Sequence, residues 1–506
     1  MTFNIGYLAR ESARQNPDKP ALLFDGGSLT FGEVDRLSDQ VATGLRGRGF
    51  DPGDKIALQL PNIPQFVIAY FGIVKAGCVV VPMNVLLKAP EVAFQLEDSQ
   101  ARALICWSGV LGEAEKAVQA AGSQLLYVVG SPGAPAGTAG EPFGTLFAPV
   151  DPDDAAPMVQ RDPGDTAVLI YTSGTTGRPK GAELTHFQLL MNADTPGRLF
   201  GIREDDVILV ALPLFHVFGL SSSLNICMRF GATMSLMTRF DAAKALEAIL
   251  RDGVTVFEGV PTMYLALLAA DATDADVATL RIGICGGASL PAKVLDAFEE
   301  KFGVLILEGY GLTESASTTT FNISAQERRP YSVGKPIWGV DVEIWGEDDK
   351  VRPPGSDNVG EVVIRGVNTM KGYYNDPEAT AAAFTRGWMR TGDLGYVDGD
   401  GYLFIVDRKK DLIIRGGYNV YPREVEEVLF AHPGVAEAAV IGVPDERLGE
   451  EIKAFVIPVP GVTLTAEDLT AFVRERVAAY KYPRIIELCP DLPHGPTGKV
   501  LKTELR

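Results

Sequence analysis

Short apolar runs alternate with longer amphipathic runs along the first 130 residues of the chain. The pattern predicts strands at residues 55–60, 77–82, 103–106 and 125–129, and a helix at residues 63–76. Strands that alternate with helices form parallel sheets whose faces the helices cover. The first part of the chain is therefore predicted to be an α/β fold. Residues 130–142, rich in Gly, Pro and Ala, are predicted to form an exposed loop.

A different pattern begins near residue 407. The turn-rich pieces at residues 360–367 and 401–406 are typical of β structure. The elements predicted after them are a helix at 422–430, strands at 435–443 and 452–458, and a helix at 466–479. An independent pattern of about 100 residues is typical of a separate domain. We therefore predict an N-terminal domain at residues 1–406, with two parallel α/β sheets and a small β portion, and a small α+β domain at residues 407–506.

Composition narrows the class of protein. The 506 residues are 46% hydrophobic and 22% charged, which is typical of a globular protein with a large core. The formal net charge of -19 disfavours binding to nucleic acid, because a polyanion would be repelled. The five cysteines are scattered, as reduced thiols usually are. The N-terminus lacks a basic segment followed by an apolar run, and Lys75 and Gly77 interrupt the apolar stretch at residues 66–82. We expect a cytoplasmic protein with no transmembrane segment.

A run of hydroxyl residues and glycines directly follows the strand predicted at residues 167–171. It reads TSGTTGRPKG, from Thr172 to Gly181. Glycines let backbone N–H groups approach phosphate oxygens, hydroxyls donate further hydrogen bonds, and a lysine adds positive charge. The composition predicts a phosphate-binding loop, and the alternative is a flexible surface loop. The residues predicted to contact phosphate are Thr172, Ser173, Gly174, Thr175, Thr176, Gly177 and Lys180.

Seven segments resemble, in the same order, those of the adenylate-forming superfamily of acyl-CoA synthetases, peptide-synthetase adenylation domains and firefly luciferase. They are TSGTTGRPKG at 172–181, LPLFH at 212–216, GGA at 286–288, GYGLTE at 309–314, WMRTGD at 388–393, DRKK at 407–410 and PHGPTGK at 493–499. The resemblance spans the chain and is strongest to fatty acyl-CoA synthetases. It implies a mobile C-terminal domain and a ligase that first makes an acyl-adenylate from ATP and a carboxylic acid, and then transfers the acyl group to coenzyme A.

The resemblance also implies which residues bind ATP and Mg²⁺. A carboxylate beside polyphosphate repels it unless a cation lies between them, so Glu314 is expected to hold Mg²⁺. Thr313 is expected to contact the phosphates, and Asp393 the ribose, with Arg408 nearby. Taken alone, Glu314 and Asp393 would be ordinary turn residues. The other residues assigned to the ATP site are Gly286, Gly287, Ala288, Tyr310 and Gly311.

Catalytic roles are implied for Lys499 and His216 besides Thr313 and Glu314. Lys499 would lie between the substrate carboxylate and the α-phosphate, two anions whose mutual repulsion a cation lowers. His216 would position the acid where the carboxylate pocket meets the acyl and pantetheine pockets, and the alternative is a buried structural histidine. Lys410 matches the hinge about which the C-terminal domain pivots between the two steps.

Coenzyme A is expected to approach the segment that follows this hinge. Arg415, Gly416 and Gly417 offer two positions without side chains, which suits close approach of an extended pantetheine arm. Arg447 is a further candidate for a coenzyme A phosphate.

The acyl pocket is expected to be apolar. Its predicted lining, taken from the resemblance, is Phe215, Val217, Phe218, Val260, Met263, Tyr264, Gly286 and Gly311. The aspartate that holds an amino group in peptide synthetases would fall near Leu214 or Phe215, where no acid is present. We therefore expect a medium- or long-chain fatty acid first, then an aryl or cinnamic-type acid, then a short dicarboxylic acid.

Other functions on the same scaffold stay open at this stage. One alternative is an acyl-AMP ligase that loads a carrier protein, although no obvious insertion precedes the C-terminal domain. A luciferase-like oxygenase is a second alternative, and a non-catalytic acyl or nucleotide sensor is a third. A sensor would have no need of a transition-state lysine such as Lys499. A homodimer is possible.

Overall fold

The structure, a computed structural model, describes residues 2–122, 125–130, 140–150, 158–172, 178–270, 272–324, 326–495 and 498–505. Its α-helices are α1 (Tyr7–Gln15), α2 (Phe31–Gly47), α3 (Pro64–Lys75), α4 (Ala89–Ser99), α5 (Leu111–Ala120), α6 (His186–Leu199), α7 (Ile226–Phe230), α8 (Ala242–Asp252), α9 (Pro261–Ala269), α10 (Ala292–Phe302), α11 (Pro377–Ala383), α12 (Pro422–Phe430) and α13 (Ala466–Arg474).

The strands alternate with these helices in the first part of the chain. They are β1 (Pro20–Phe24), β2 (Gly27–Thr30), β3 (Lys55–Gln59), β4 (Val79–Pro82), β5 (Ala101–Trp107), β6 (Leu125–Val129), β7 (Glu141–Pro142), β8 (Thr166–Thr172), β9 (Lys180–Thr185), β10 (Val207–Val210), β11 (Thr233–Leu236), β12 (Val256–Gly259), β13 (Ile282–Cys285), β14 (Ile306–Tyr310), β15 (Thr320–Phe321), β16 (Lys335–Pro336), β17 (Val340–Trp345), β18 (Gly360–Gly366), β19 (Gly372–Tyr373), β20 (Phe384–Thr385), β21 (Trp388–Val397), β22 (Leu403–Arg408), β23 (Ile413–Arg415), β24 (Tyr418–Val420), β25 (Val435–Asp445), β26 (Gly449–Pro458) and β27 (Ile485–Leu488).

One sheet has the strand order β19-β9-β8-β4-β3-β5-β6-β7 among the described residues. The strands from β8 to β7 pair in parallel, as predicted. At the other edge β9 pairs antiparallel with β8, and β19 with β9, which the alternation of elements did not predict. Strands β8 and β9 form a hairpin in which Thr172 pairs with Lys180. The predicted phosphate loop is therefore the connection of a hairpin, tied at both ends to the sheet.

The second sheet has the order β16-β15-β14-β13-β12-β10-β11-β1-β2. Its strands from β14 to β1 pair in parallel, and β2, β15 and β16 pair antiparallel at the two edges. Because the carboxyl ends of parallel strands meet at one edge, the residues after β12, β13 and β14 lie side by side. These residues are Val260, Gly286 and Gly311. The predicted α/β fold with two largely parallel sheets is confirmed.

Helix α3 is buried on all its sides, because its ten consecutive residues from Phe66 to Lys75 are all buried. Lys75 is buried with them, and its ammonium group donates to the Ser38 hydroxyl at 2.7 Å and pairs with Asp39 at 3.0 Å. Such pairing is what allows a charge inside a core. Within the part of the chain that the structure describes, none of the helices has the length and apolarity that a bilayer crossing requires.

The small β portion is an antiparallel sheet in which β18 and β22 flank β21. Strand β22 continues to Arg408, which pairs with Asp393 on β21. A fourth sheet, built from β23 to β27, belongs to the smaller C-terminal domain, where α12 and α13 cover an apolar core of its own. Helix α13 ends at Arg474, earlier than predicted, because the chain turns there and packs Val477 and Tyr480 against that core.

Candidate active site

A cavity of about 1110 Å³ lies at the carboxyl ends of β8, β12, β13 and β14 and is bounded on one side by the C-terminal domain. Residues from most of the predicted segments line it. Those on its surface are Thr172, Lys180, Phe215, His216, Val217, Phe218, Val260, Gly286, Gly287, Tyr310, Gly311, Thr313, Glu314, Asp393, Arg408, Lys410 and Lys499. The structure thus brings together residues that are up to 327 positions apart in the chain, from Thr172 to Lys499.

Five of the predicted phosphate contacts lie outside the described residues. They are Ser173, Gly174, Thr175, Thr176 and Gly177. The two ends of their hairpin are described, and both Thr172 and Lys180 line the cavity. The described ends of both strands of the hairpin therefore lie at the cavity wall.

Glu314 lies in a short 3₁₀ turn, Thr313–Ser315, directly after β14. Its Oε1 atom accepts a hydrogen bond from the Tyr373 hydroxyl at 2.9 Å and a longer one from the Thr172 hydroxyl at 3.4 Å. The Lys180 ammonium lies 5.4 Å from the centre of the Tyr373 ring. Tyr373 thus links the carboxylate to the hairpin. Sequence reasoning missed this residue, because a tyrosine in a short strand has no local feature that separates it from a core aromatic.

Asp393 is 5% exposed and lies on β21 opposite Arg408. Its Oδ2 atom accepts a hydrogen bond from the Tyr310 hydroxyl at 2.6 Å, and its Oδ1 atom lies 3.5 Å from Nε of Arg408. Burial and the Asp393 charge raise the pKa of Tyr310, so the phenol stays a neutral donor. The carboxylate is therefore fixed in orientation by two side chains that the sequence also singled out.

Glu361 is a second cavity residue that sequence reasoning missed. It is 6% exposed and pairs with Arg390 at 2.7 Å and with Lys409 at 3.1 Å. Lys409 immediately precedes the predicted hinge residue, Lys410, which lines the cavity. Glu361 therefore ties the small β sheet to the start of the C-terminal segment.

Lys499 reaches the cavity from the C-terminal end of the chain. Burial, and next the charge of Arg408, lower the pKa of Lys499 to about 8. Gly498 has a φ of +73°, and a Cβ atom there would overlap the Oγ1 atom of Thr262 and lie 3.2 Å from Cγ2 of Val260. The φ angle and the lack of space for a side chain explain why a glycine precedes Lys499. The glycine lets the C-terminal segment lie directly against the start of α9 in the large domain.

His216 begins the segment that leads into a π-helical turn, Gly219–Asn225, which continues as α7. Its Nδ1 atom accepts a hydrogen bond from the backbone N–H of Phe218 at 3.2 Å. Burial lowers the pKa of His216 to about 4. The ring is therefore neutral at pH 7, and its proton is on Nε2.

The apolar part of the cavity contains most of the predicted acyl-pocket residues, but Met263 and Tyr264 lie behind its wall. Both belong to α9 and point into the core, and the Tyr264 hydroxyl donates to the carbonyl oxygen of Ile284 at 2.9 Å. Ala288 likewise follows the two lining glycines without joining the described lining. Two hydroxyls that sequence reasoning missed, those of Ser222 and Ser317, lie 3.3 Å apart on the lining. The pocket therefore combines an apolar surface with this pair of hydroxyls.

The residues predicted to contact coenzyme A lie away from this cavity. Arg415 makes a two-point ion pair with Glu451, with a distance of 2.8 Å between Nη2 and Oε2. Gly416 and Gly417 are exposed and have φ angles of +58° and +83°, in the left-handed region that favours glycine. Arg447 is exposed as well. In this arrangement of the domains, Lys499 lies in the cavity and the glycine pair does not.

The sequence pattern of the AMP-binding enzyme family matches residues 9–374, and that of the AMP-binding enzyme C-terminal domain matches residues 424–499. The chain is 39% identical to a feruloyl-CoA synthase of Amycolatopsis sp over 99% of this chain and 98% of the relative. It is 36% identical to a long-chain-fatty-acid–CoA ligase of Bacillus subtilis (strain 168), over 98% of this chain and 93% of the relative. A solved structure of the anthranilate CoA ligase AuaEII in complex with anthranoyl-AMP superposes with a TM-score of 0.93, at 32% identity, over 100% of this chain and 97% of the other.

The chain therefore belongs to the AMP-binding enzyme family. Within it, the chain is an AMP-forming acyl-CoA ligase, which confirms the predicted superfamily and enzyme class.

Proposed function

We propose that the chain activates a monocarboxylic acid as its adenylate and that Lys499 serves this first step alone. The observation that supports the proposal is the position of Lys499, Glu314 and Asp393 around one cavity. In this step a carboxylate oxygen of the acid attacks the α-phosphorus of ATP, the bond to the bridging oxygen breaks, and pyrophosphate leaves. Both reactants are anions, so the Lys499 cation stabilises the charge that gathers between them. The acid itself is the nucleophile, and no side chain has to be one.

ATP, Mg²⁺ and coenzyme A are used by this chain as by its family. The described residues contain no cluster of three or more His, Cys, Asp or Glu that could hold a metal. The Glu314 carboxylate beside the hairpin of β8 and β9 suits Mg²⁺, which takes most of its ligands from phosphate oxygens and water. We assign Glu314 to this ion, which when bound would neutralise phosphate charge.

We assign roles to the remaining polar residues from their positions on the cavity wall. Asp393, held by Tyr310 and Arg408, offers carboxylate oxygens to the ribose hydroxyls. Thr172, Lys180 and Thr313 are assigned to the phosphates. His216 is assigned to positioning of the acid through Nε2–H. A base role is disfavoured because the low pKa makes the ring a weak proton acceptor.

The second step needs a different arrangement of the domains. The sulfur of coenzyme A attacks the acyl carbon, the bond to the adenylate oxygen breaks, and AMP leaves. Gly416 and Gly417, assigned to the pantetheine arm, lie outside the cavity while Lys499 occupies it. We propose a boundary after residue 406 and a hinge at Lys410, two residues beyond the end of β22 at Arg408. Rotation there would exchange Lys499 for the glycine pair.

We favour an aryl or cinnamic-type acid that carries a hydrogen-bonding substituent. The Ser222 and Ser317 hydroxyls support this choice, since they offer hydrogen bonds that a polar substituent can use and a purely hydrocarbon chain cannot. The rings of Phe215 and Phe218 supply an apolar surface for an aromatic acid. The feruloyl-CoA relative agrees with this class. A medium- or long-chain fatty acid, first in the sequence-based order, is the second candidate, supported by the apolar lining and by the Bacillus relative.

The test measures pyrophosphate release with ATP and a panel of acids. The panel contains a hydroxycinnamic acid, cinnamic acid, benzoic acid, octanoic acid, hexadecanoic acid and a short dicarboxylic acid. The hydroxycinnamic acid should give the highest kcat/KM, and Ser222→Ala should lower it by about 10-fold while leaving cinnamic acid nearly unchanged. A preference for hexadecanoic acid that Ser222→Ala does not alter would reject the aryl assignment. Adding free coenzyme A or a carrier protein then identifies the acyl acceptor.

A further inference from the structure

The large and small domains meet at two helix ends that carry no complementary charge of their own. Helix α10 of the large domain begins after Pro291, which provides no capping side chain, and the only charge in its first turn is Lys293. Helix α12 of the small domain ends with residues 427–430, whose single charge is negative. A helix N-terminus favours negative charge and a C-terminus favours positive charge. Each helix end therefore carries the charge of the wrong sign.

Each helix receives the missing charge from the other. The Glu427 carboxylate of α12 accepts a hydrogen bond at 3.4 Å from the backbone N–H of Ala292, the first residue of α10. The Lys293 ammonium of α10 donates to the carbonyl oxygens of Phe430 at 3.2 Å and His432 at 3.4 Å, at the end of α12. The Glu427 carboxylate thus stabilises the N-terminus of α10, and the Lys293 ammonium stabilises the C-terminus of α12.

We propose that Lys293 and Glu427 form a reciprocal clasp that holds the small domain with Lys499 in the cavity and that opens before the acyl group is transferred. This inference rests on the proposed domain alternation. Both contacts join residues on opposite sides of the hinge at Lys410, so rotation about that hinge separates their atoms. The clasp stabilises the arrangement that has Lys499 in the cavity and does not stabilise the arrangement in which the acyl group is transferred. Its two residues are positioning residues, because neither lines the cavity.

Helix α10 offers a matched control at its other end. The Lys301 ammonium also donates to two backbone carbonyl oxygens, those of Leu268 at 3.0 Å and Ala270 at 3.2 Å. Both partners of Lys301 lie in the large domain. Lys301→Gln therefore removes the same kind of bond from the same helix without touching the domain contact.

The experiment measures the two half-reactions separately in the full-length enzyme. Adenylation is followed as pyrophosphate release in a single turnover, and transfer as acyl-CoA formation from a supplied acyl-adenylate. Lys293→Gln and Glu427→Gln should each slow adenylation by about 2- to 5-fold, the effect of one charge at a helix end. Transfer should stay equal or become faster. Lys293→Arg, which keeps the charge, should adenylate at about the rate of the parent enzyme. Lys301→Gln should leave both rates unchanged.

A domain-distance measurement, with fluorophores on α8 and α13, provides a second readout. The two clasp variants should shift the population away from the arrangement of the parent enzyme, and Lys301→Gln should not. Equal loss of both half-reactions, or no change in either, would overturn the clasp. Lys499→Ala tests the underlying alternation by itself. If that variant separates the half-reactions and Lys293→Gln does not, the clasp is wrong and the alternation stands.

Discussion

Glu314 lies on the cavity wall, where two hydroxyls hold its carboxylate next to the hairpin of β8 and β9. Glu314→Ala removes the residue assigned to Mg²⁺, and we expect adenylation to fall by about 100-fold, the scale of one strong electrostatic stabiliser. Single-turnover pyrophosphate release over a range of Mg²⁺ concentrations checks this. Glu347→Ala, at an exposed turn, is the control. Full activity of the parent enzyme in excess EDTA would contradict the assignment to a metal.

The charge of Lys499 predicts how adenylation depends on pH. Burial and the neighbouring Arg408 lower the pKa of Lys499 to about 8, so the cation is lost as pH rises through that value. Because the proposed role needs the cation, kcat/KM for ATP in the first step should decrease above about pH 8, since this ratio reports on the free enzyme. Lys499→Arg should move the decrease to higher pH, at reduced rate. A flat profile to pH 9.5 in the parent enzyme would argue against a protonated lysine.

A residue with a chemical role could be predicted from the sequence where that role also restricts the neighbouring residues. Lys499 follows a glycine that the packing against Thr262 requires, and that pair is visible in the sequence. Tyr373 and Glu361 could not be found in this way, because they act on cavity residues only through contacts that the fold creates. Tyr264, in contrast, was predicted to line the acyl pocket but lies in the core. Helix α9 is apolar on nearly every side, so its pattern cannot tell the cavity face from the core face.

At the scale of elements, the segment around Gly498 joins the C-terminal domain to the start of α9. Gly498→Ala should push this segment away from Thr262 and withdraw Lys499, so adenylation should fall by at least about 10-fold. Transfer from a supplied acyl-adenylate should persist. Gly461, in the same domain, has a φ of +81° and no atom near its Cβ position. Gly461→Ala therefore introduces backbone strain without a steric overlap. Equal adenylation rates in the two variants would show that strain, and not displacement of Lys499, is the cause.

The sheets were largely predictable, and their edges were not. Runs of buried β-branched residues such as those of β4 signal parallel strands in the sheet interior. The hairpin of β8 and β9 was not visible, since its long connection lacks the two-residue turn that marks a hairpin in sequence. The π-helical turn at Gly219–Asn225 was also missed, because five of its seven residues are Gly, Ser or Asn, which are typical of loops.

For the whole molecule, the two half-reactions should respond to opposite variants. Lys499→Ala should abolish pyrophosphate release yet still convert a supplied acyl-adenylate to acyl-CoA. Gly417→Leu should make the adenylate and fail to transfer it, because a side chain there would meet the pantetheine arm. Both steps are measured on the same preparations.

Gly461→Leu is the control for this pair of variants. Gly417 and Gly461 have φ angles of +83° and +81°, and neither has an atom near its Cβ position. The backbone strain of a leucine is therefore similar at both, and only the first lies in the segment assigned to coenzyme A. If Lys499→Ala and Gly417→Leu lose both half-reactions equally while folded, the domains do not alternate.

The position of Lys499 in the cavity predicts the kinetic order of the reaction. Under the proposed alternation, the C-terminal segment occupies that cavity during the first step, so pyrophosphate has to depart before the thiol can reach the acyl carbon. We therefore expect a ping-pong order, in which one product leaves between the binding of ATP and the reaction of coenzyme A. Initial velocities at several fixed ATP concentrations give parallel lines in reciprocal plots against coenzyme A. Accumulated pyrophosphate drives the bound adenylate back to ATP, so a pyrophosphatase in the same compartment sets how far the reaction proceeds.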